Sequence, residues 1–341
     1  MKSGMASVKD TRYKDIKLIF KEEGHKYTDT LGNEYKSATT LLHTYQPEFD
    51  KGYWLKKKAQ ELHISEKELE KQWGKITEEA CTRGTATHEG LEEGIKTSSL
   101  FKDAVKYMTR ANGEMITIAD IPDINQHVHE MSLQDFIDST ENKYPKFNKL
   151  FEYYIERGYK IYSEIGAFLP DYLISGTIDV FLYREDRFVI GDWKTNRGGL
   201  KFENGYYRKD KSTRPAQETD VWVRKNETLL PPVNNLPNCN GSIYNLQLSL
   251  YAIMAEIILG IPCAGLWLGH IDSDFELNQW GRPKRFPDGL YHVKKNPHPT
   301  ETIYKMDYLK NEIIRILKDR YTEVSATINR SGNLFNNTND E

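Results

Sequence analysis

The chain has 341 residues, 28% of them charged and 38% apolar, long enough for one elaborated or two ordinary domains with a sizeable core. Its 47 Lys and Arg against 50 Asp and Glu give a net charge of −3, which excludes a bulk polycation that coats nucleic acid but not a local basic groove. Cys81, Cys239 and Cys263 stand far apart without CxxC spacing, so no disulfide framework and no zinc or iron–sulfur site built on cysteine alone is expected; the thiols read as reduced ones in a cytoplasmic protein. The N-terminus has no apolar h-region and no apolar run approaches the ~20 residues of a membrane span, so neither secretion nor a membrane is expected.

In chain order, residues 1–14 are polar and read as frayed. Residues 16–36 read as a hairpin, with Ile16–Phe20 as one strand and a turn near Gly32-Asn33. From Ser37 to about Gly94 the pattern is helical, with Ser37 or Thr39 as a cap and Ser65 with Glu68 as a capping box. Residues 96–140 read as a mostly helical insertion, and 145–157 as a helix ended by Gly158. The period then changes to two. Tyr159–Phe168, Tyr172–Tyr183 and Arg187–Trp193 read as a three-strand meander with short turns. A long polar segment covers 195–240. A helix follows at about 244–259, then a strand Ala264–Ile271, another at 289–294, a helix at 304–322 and a disordered tail. The fold class read from this is α+β with a central mixed sheet and helices.

The residues that can carry chemistry lie on the meander. In Gly191-Asp192-Trp193-Lys194-Thr195, strand alternation puts Asp192 and Lys194 on one face and Trp193 on the other. At a strand mouth such a pair can hold a cation and position a water; taken alone it equally fits a solvated surface pair. Asp179 sits among Ile178, Val180 and Phe181, where a charge is costly unless paired or metal-bound, though a turn-facing acid would look the same. Counted from the turn, Asp179 and Asp192 lie at matched depth on neighbouring strands, and a divalent cation, Mg²⁺ or Mn²⁺, would relieve their repulsion. Glu164, flanked by Ile161, Ile165 and Ala167, is a third acid. Gly84 opens a small-residue helix start one turn before His88, either a structural histidine or a ligand. Gln247 and Tyr251 share a helix face.

Taken together and in order, Gly84…His88, Glu164, Gly176…Asp179, Asp192-Trp193-Lys194-Thr195 and Gln247…Tyr251 resemble the PD-(D/E)XK nuclease superfamily. Within it they are most similar to the RecB-like exonuclease branch, including phage-encoded exonucleases and the mitochondrial genome maintenance exonuclease. The likeness covers about residues 80–260. It implies a restriction-endonuclease-like α/β/α core and one or two Mg²⁺ or Mn²⁺ ions held by His88, Asp179, Asp192 and the Trp193 carbonyl. Glu164 would assist at a second metal or through water. Lys194 would orient the attacking water and offset charge. Gln247 and Tyr251 would steady Lys194, a metal ligand or the substrate phosphate, with Arg83 and Thr195 also at the substrate. The four-cysteine cluster of iron–sulfur relatives is missing, and so is GxxxxGK[ST], so no iron–sulfur cluster and no nucleotide cofactor are expected.

Residues 194–225 hold nine Lys and Arg against four acids, a net +5, with Phe202, Tyr206, Tyr207 and Trp222 interleaved. Cations track phosphates and aromatics stack bases, so Arg197, Lys201, Tyr206 and Tyr207 are candidate DNA-binding residues, and Lys56-Lys57-Lys58 near Trp54 a second wall; a mobile loop would have the same composition. The expected activity is a metal-dependent DNA exonuclease acting on ends or single strands in phage-type replication, recombination or repair. An endonuclease of the same fold and a non-catalytic DNA-binding or assembly module are the alternatives. Expected partners are DNA and replication or recombination proteins, in the cytoplasm of the host if the chain is phage-encoded. The expected organisation is 1–80 hairpin and helices, 81–275 nuclease core with insertions at 96–140 and 196–243, 276–323 strand and helix, and 324–341 disordered tail.

Overall fold

A computed structural model describes residues 12–21, 23–98, 113–124 and 133–336. The chain opens with α1 (Arg12–Asp15), then β1 (Leu18–Lys21), β2 (Lys26–Asp29) and β3 (Glu34–Ser37). α2 (Ala38–His43) starts where the Ser37 hydroxyl accepts the Thr40 N–H at 3.1 Å. α3 (Lys51–Leu62) starts on Asp50, which accepts the Tyr53 N–H at 2.8 Å. α4 (Glu66–Ser98) follows Ser65, whose hydroxyl accepts the Glu68 N–H at 3.1 Å. Then come α5 (Ile121–Ile124), α6 (Leu133–Ser139), α7 (Pro145–Ile155), β4 (Lys160–Leu169), β5 (Ile174–Arg184) and β6 (Arg187–Lys194). β7 (Gly205–Asp210), β8 (Gln217–Arg224), α8 (Asn240–Leu259), β9 (Cys263–Asp272), β10 (Thr300–Met306) and α9 (Lys310–Asn336) complete the described chain.

Among the described residues, eight strands make one mixed sheet in the path β1-β2-β3-β5-β6-β9-β10, with β4 also paired to β5. β4, β5 and β6 form the expected antiparallel meander, and β9 joins β6 in parallel after the crossover through α8. Helices cover both faces. On one side α2, α8 and α9 pack on Ile178, Phe181, Phe188 and Ile190. On the other α4, α6 and α7 pack on Val180, Val189 and Trp193. Period-two strands with both faces buried read as near-continuous apolar runs, which is the pattern of β5 and β6.

One edge of β5 is divided. β3 pairs with it in parallel at Ile174 and Ser175, and β6 pairs with it antiparallel from Val180 to Arg184. Between these, Gly176 to Asp179 pair with neither strand on that edge. The sheet is therefore split at the Gly176…Asp179 stretch.

Several expectations are corrected. The hairpin at 16–36 is three strands. Gly84 and His88 lie inside a 33-residue helix rather than at a helix start, and a border at residue 80 falls within that helix. The polar 195–240 segment contains the β7–β8 hairpin. Residues 300–306 are a strand of the main sheet, so the last helix begins at 310 rather than 304; it reaches Asn336, past the point where a tail was expected. Residues 289–294 make isolated bridges, Tyr291 to Arg285 and Val293 to Phe275, rather than a strand. Residues 1–11, 99–112, 125–132 and 337–341, including parts of the expected frayed start, insertion and tail, lie outside the described residues. α8 is long and apolar enough to cross a membrane by composition, against the reading of the apolar runs, but most of its length is buried inside the fold.

Candidate active site

The site is built on β6. Its apolar residues alternate between the two cores, Phe188 and Ile190 to one side and Val189 and Trp193 to the other. Trp193 is wedged against Phe147 and Trp267, with ring centroids 4.7 and 5.1 Å apart. Two glycines make this possible. The parallel register sets Gly191 beside Trp267 and Trp193 beside Gly269. A Cβ on Gly191 would fall 2.1 Å from the Trp267 ring, and one on Gly269 would fall 2.7 Å from the Trp193 ring. Each indole covers the glycine opposite it.

With Trp193 locked on one face, Asp192 and Lys194 share the other. Lys194 Nζ lies 2.5 Å from Asp192 Oδ2, with the Asp192 side chain only 4% exposed. The approach is an ion pair without regular hydrogen-bond geometry, and Asp192 Oδ2 accepts no hydrogen bond that meets geometric criteria. Beyond Val180–Gly191 the β5–β6 ladder stops. There Trp193 donates its N–H to Asp179 Oδ2 at 3.0 Å, so the acid side chain takes the place of a strand carbonyl at the split. Asp179 and Asp192 also hydrogen-bond each other, which requires a proton between them or a cation in its place.

The electrostatics follow from burial. Burial pushes Asp192 up to about 6, against the pull of Lys194 and with the repulsion of Asp179. Burial raises Asp179 as well, against Lys194 and the Trp193 N–H. Lys194 would be pulled down by burial, but the charges of Asp192 and Asp179 outweigh that and hold it above the ordinary lysine value. At neutral pH it is a cation that donates.

α4 supplies the remaining wall. Gly84 lets the helix close on β6: a Cβ there would lie 3.2 Å from Thr195 Oγ1. One turn on, His88 Nδ1 lies 3.4 Å from Asp179 Oδ2. Its ring also donates to the Trp193 carbonyl, and burial pulls its pKa below the usual histidine value, so the imidazole is neutral at pH 7. Asp179, Asp192, Lys194, His88 and the Trp193 peptide are thus brought together. Among the described residues no three His, Cys, Asp or Glu side chains form a metal-holding group. The donor chemistry nevertheless fits a hard divalent cation, because two buried carboxylates abut.

α8 forms the floor. The Tyr251 hydroxyl is hydrogen-bonded to Gln247. Its ring fills the space left by Gly176, where a Cβ would fall 2.7 Å from the phenol oxygen. The glycine of Gly176…Asp179 and the tyrosine of Gln247…Tyr251 are therefore one contact. Tyr244 was missed in the sequence: Lys194 Nζ lies 4.9 Å from its ring centroid. Its signal was its place one turn before Gln247 on the same stripe. His270, beside Lys194 in the register, was also missed; its Nε2 lies 2.8 Å from the Asn196 carbonyl and pins the turn after Lys194.

Two further candidates lie on neighbouring elements. Glu164 stands opposite Asp179 in an unshifted β4–β5 register, between the Ser163–Val180 and Ile165–Ile178 pairs, at a strained φ of +54°. Its charge acts on Tyr27, which bonds Thr177 at 3.2 Å. Arg83 packs its guanidinium 5.1 Å from the Phe275 ring centroid.

A cavity of about 900 Å³ begins at Arg197, three residues past Lys194, rather than over the carboxylates. One wall is α3, with Trp54, Lys57 and Lys58; the other is the β7–β8 hairpin, with Arg282 beside it. Nine Lys and Arg line it against Glu61 and Glu218. Among the described residues, only Lys58 of the nine is ion-paired, to Glu61 at 2.7 Å. Several of the others are braced by neutral groups. Arg197 stacks 3.5 Å over Tyr291 and Arg282 3.7 Å over Tyr207. Lys201 donates to the Tyr207 hydroxyl at 3.0 Å. Arg282 Nε is buried without a hydrogen-bond partner. Tyr207 is also packed on Trp222, with centroids 4.9 Å apart, so its faces are taken. Tyr206 is half exposed.

Comparison with known protein families, curated proteins and solved structures yields no match. The functional reading rests on the site itself.

Proposed function

We propose that this protein is a metal-dependent deoxyribonuclease with a restriction-endonuclease-like core of the RecB-like exonuclease type, hydrolysing phosphodiester bonds at DNA ends or in single strands. The observation that carries the reading is the Lys194–Asp192 pair, 2.5 Å apart, beside Asp179 at a split in the sheet, next to a cleft in which, among the described residues, only Lys58 of nine cations has an acid partner. Asp179 and Asp192 would hold one or two Mg²⁺ or Mn²⁺ ions, with the Trp193 carbonyl and His88 at the side; Glu164 would assist at a second metal or through water.

A bound divalent ion supplies Lewis-acid stabilisation of phosphoryl oxygens and makes water more acidic. The chain's own residues do the rest. Lys194, protonated and resting over Tyr244, donates to the attacking water and offsets charge on the phosphorane-like transition state. It is a donor and not a general base, because its two acids hold its proton. Asp192 is ionised above pH of about 6, and its Oδ2 holds the Lys194 ammonium at 2.5 Å. Gln247 and Tyr251 fix the β5 side, and Thr195 fixes the approach of α4. Arg197 and Lys201 lead the strand away along the cleft, where cations attract phosphates and Tyr206 offers a face to a base.

The experiment is hydrolysis of 5′-labelled, 3′-labelled and covalently closed circular DNA with Mg²⁺ or Mn²⁺ and with EDTA. Wild-type protein should degrade linear DNA only with metal, while folded Lys194→Ala and Asp192→Ala proteins should not. Wild-type activity in either variant overturns the mechanism, and cleavage of closed circles overturns the exonuclease in favour of an endonuclease.

A further inference from the structure

The basic cleft extends beyond what hydrolysis needs. A second cavity, about 580 Å³, continues from the first, and Lys58, Glu61, Lys209 and Lys211 line both. It lies between the end of α3, Gln72 of α4, the tip of the β7–β8 hairpin and residues 285–289. Its far wall is a built structure. The Gln217 side chain donates to the Arg285 carbonyl at 2.6 Å and accepts the Arg285 N–H at 2.9 Å. Arg285 Nε donates to the Gly289 carbonyl at 3.1 Å, and Nη2 lies 3.4 Å from Gln72 Oε1. Gly289, at φ +82°, approaches Gln72 so closely that a Cβ would fall 2.5 Å from its amide oxygen.

Arg285 is therefore held in one pose by acceptors that carry no charge. Among the described residues it has no ion pair. Lys209 approaches it from β7. Its side chain is accessible within the cleft, yet the enclosing protein, and then the charge of Arg285, pull its ammonium below the ordinary lysine value. Glu218 is its partner across the ladder but makes no ion pair with it. With Lys58 paired to Glu61 at 2.7 Å and Glu218 unpaired with Lys209, the fixed Arg285 and the facing Lys209 and Lys211 leave positive charge that an anion would satisfy.

We propose that Arg285, Lys209, Lys58 and Lys211 form a distal phosphate site that holds one phosphate group of a nucleic-acid strand and sets a minimum strand length for tight binding. The inference rests on the nuclease reading for what lies at the other end of that strand. The phosphate is either a terminal group or an internal phosphodiester, and the two share this chemistry.

The test is fluorescence anisotropy of the full chain in EDTA, so that nothing is hydrolysed. The probes are labelled single-stranded DNAs of about 4 to about 16 nucleotides, each across a salt series. Wild-type affinity should step up once the strand reaches the distal site. In Lys58→Met/Lys209→Met and in Arg285→Gln the step should vanish. The log–log salt slope for long strands should fall by about 0.7 for each cation removed, while Arg285→Gln, which lines only the second cavity, binds the shortest strands as wild type does. Tightening only with a 5′- or a 3′-phosphate assigns the site to a terminal group; equal binding of phosphorylated, unphosphorylated and circular strands assigns it to internal phosphodiesters. A persistent step with unchanged slopes in both variants overturns the site. Neither lysine bonds the Gln217–Arg285–Gln72 wall, Lys58 pairing instead with Glu61, so their variant tests the site even if Arg285→Gln does not fold. Failure of wild-type protein to cut any DNA would remove the nuclease reading and leave this binding result standing.

Discussion

The carboxylate mouth and the cationic cleft lie side by side and handle charge in opposite ways. At the mouth, Asp192, Asp179 and Lys194 compensate one another inside the sheet: burial raises the two acids, and the acids raise Lys194 against burial. In the cleft, aromatic faces and neutral carbonyl and amide groups hold Arg197, Lys201, Arg282 and Arg285, so their geometry is fixed and their charge is not spent. The first arrangement tunes protons and suits chemistry at one point. The second keeps a field open along a path and suits a long anion. A neutral brace, more than a raw count of lysines, is what separates a binding surface from a solvated one.

The largest expected effect separates the two regions outright. Lys194→Ala should lower the hydrolysis rate by about 10²–10³-fold while single-stranded DNA affinity in EDTA changes little; a comparable loss of affinity would merge the regions. Next, Gly191→Ala drives a Cβ into Trp267 and should destabilise the protein by about 3 kcal/mol in urea denaturation, without altering the salt dependence of DNA binding.

A smaller effect is pH-dependent. Asp192 titrates at about 6 in the fold against an ordinary value of 3.8, so folding takes up a proton between those values. In metal-free protein, wild-type stability relative to Asp192→Asn should be greatest below pH of about 4 and fall as pH rises to about 6. Mg²⁺ should weaken that fall, because a cation favours the ionised acid. The smallest effect lies in the cleft. Tyr206→Ala should cost about 1 kcal/mol of single-stranded DNA affinity and leave the melting temperature unchanged. Tyr207→Ala, which strips support from Trp222, Arg282 and Lys201, should lower the melting temperature instead.

The mouth was legible because its logic is local. Alternation placed Asp192 and Lys194 on one face, and a short turn fixed the offset of Asp179 from Asp192, which the register with Val180 beside Gly191 matches. What was lost needed the third dimension. The β7–β8 hairpin is short and polar on both faces, so its period was masked. β10 carries Ile303, Tyr304 and Met306 directly before a helix, and the two merged into one reading. Arg282 and Arg285 lie outside the basic run, and the β8 contact to Gln217 brings Arg285 to the cleft. Glu164 looked like a third acid because its neighbours are apolar, and the β4–β5 register sets it opposite Asp179 at φ +54°. Tyr244 sat unnoticed beside the Gln247…Tyr251 pair.

The crossed indoles of β6 and β9 carry a consequence for how this site can diverge. Each tryptophan occupies the volume that the partner glycine vacates, so position 191 is free to grow only when position 267 shrinks, and likewise 269 with 193. The four positions form two coupled pairs. Gly191→Ala/Trp267→Phe should recover much of what Gly191→Ala loses, and related chains should exchange these residues in concert rather than one at a time. A slip of β6 by two residues would set indole against indole, and a slip by one would turn Asp192 into the core. The interlock is thus a register key that protects the carboxylates from outside the site.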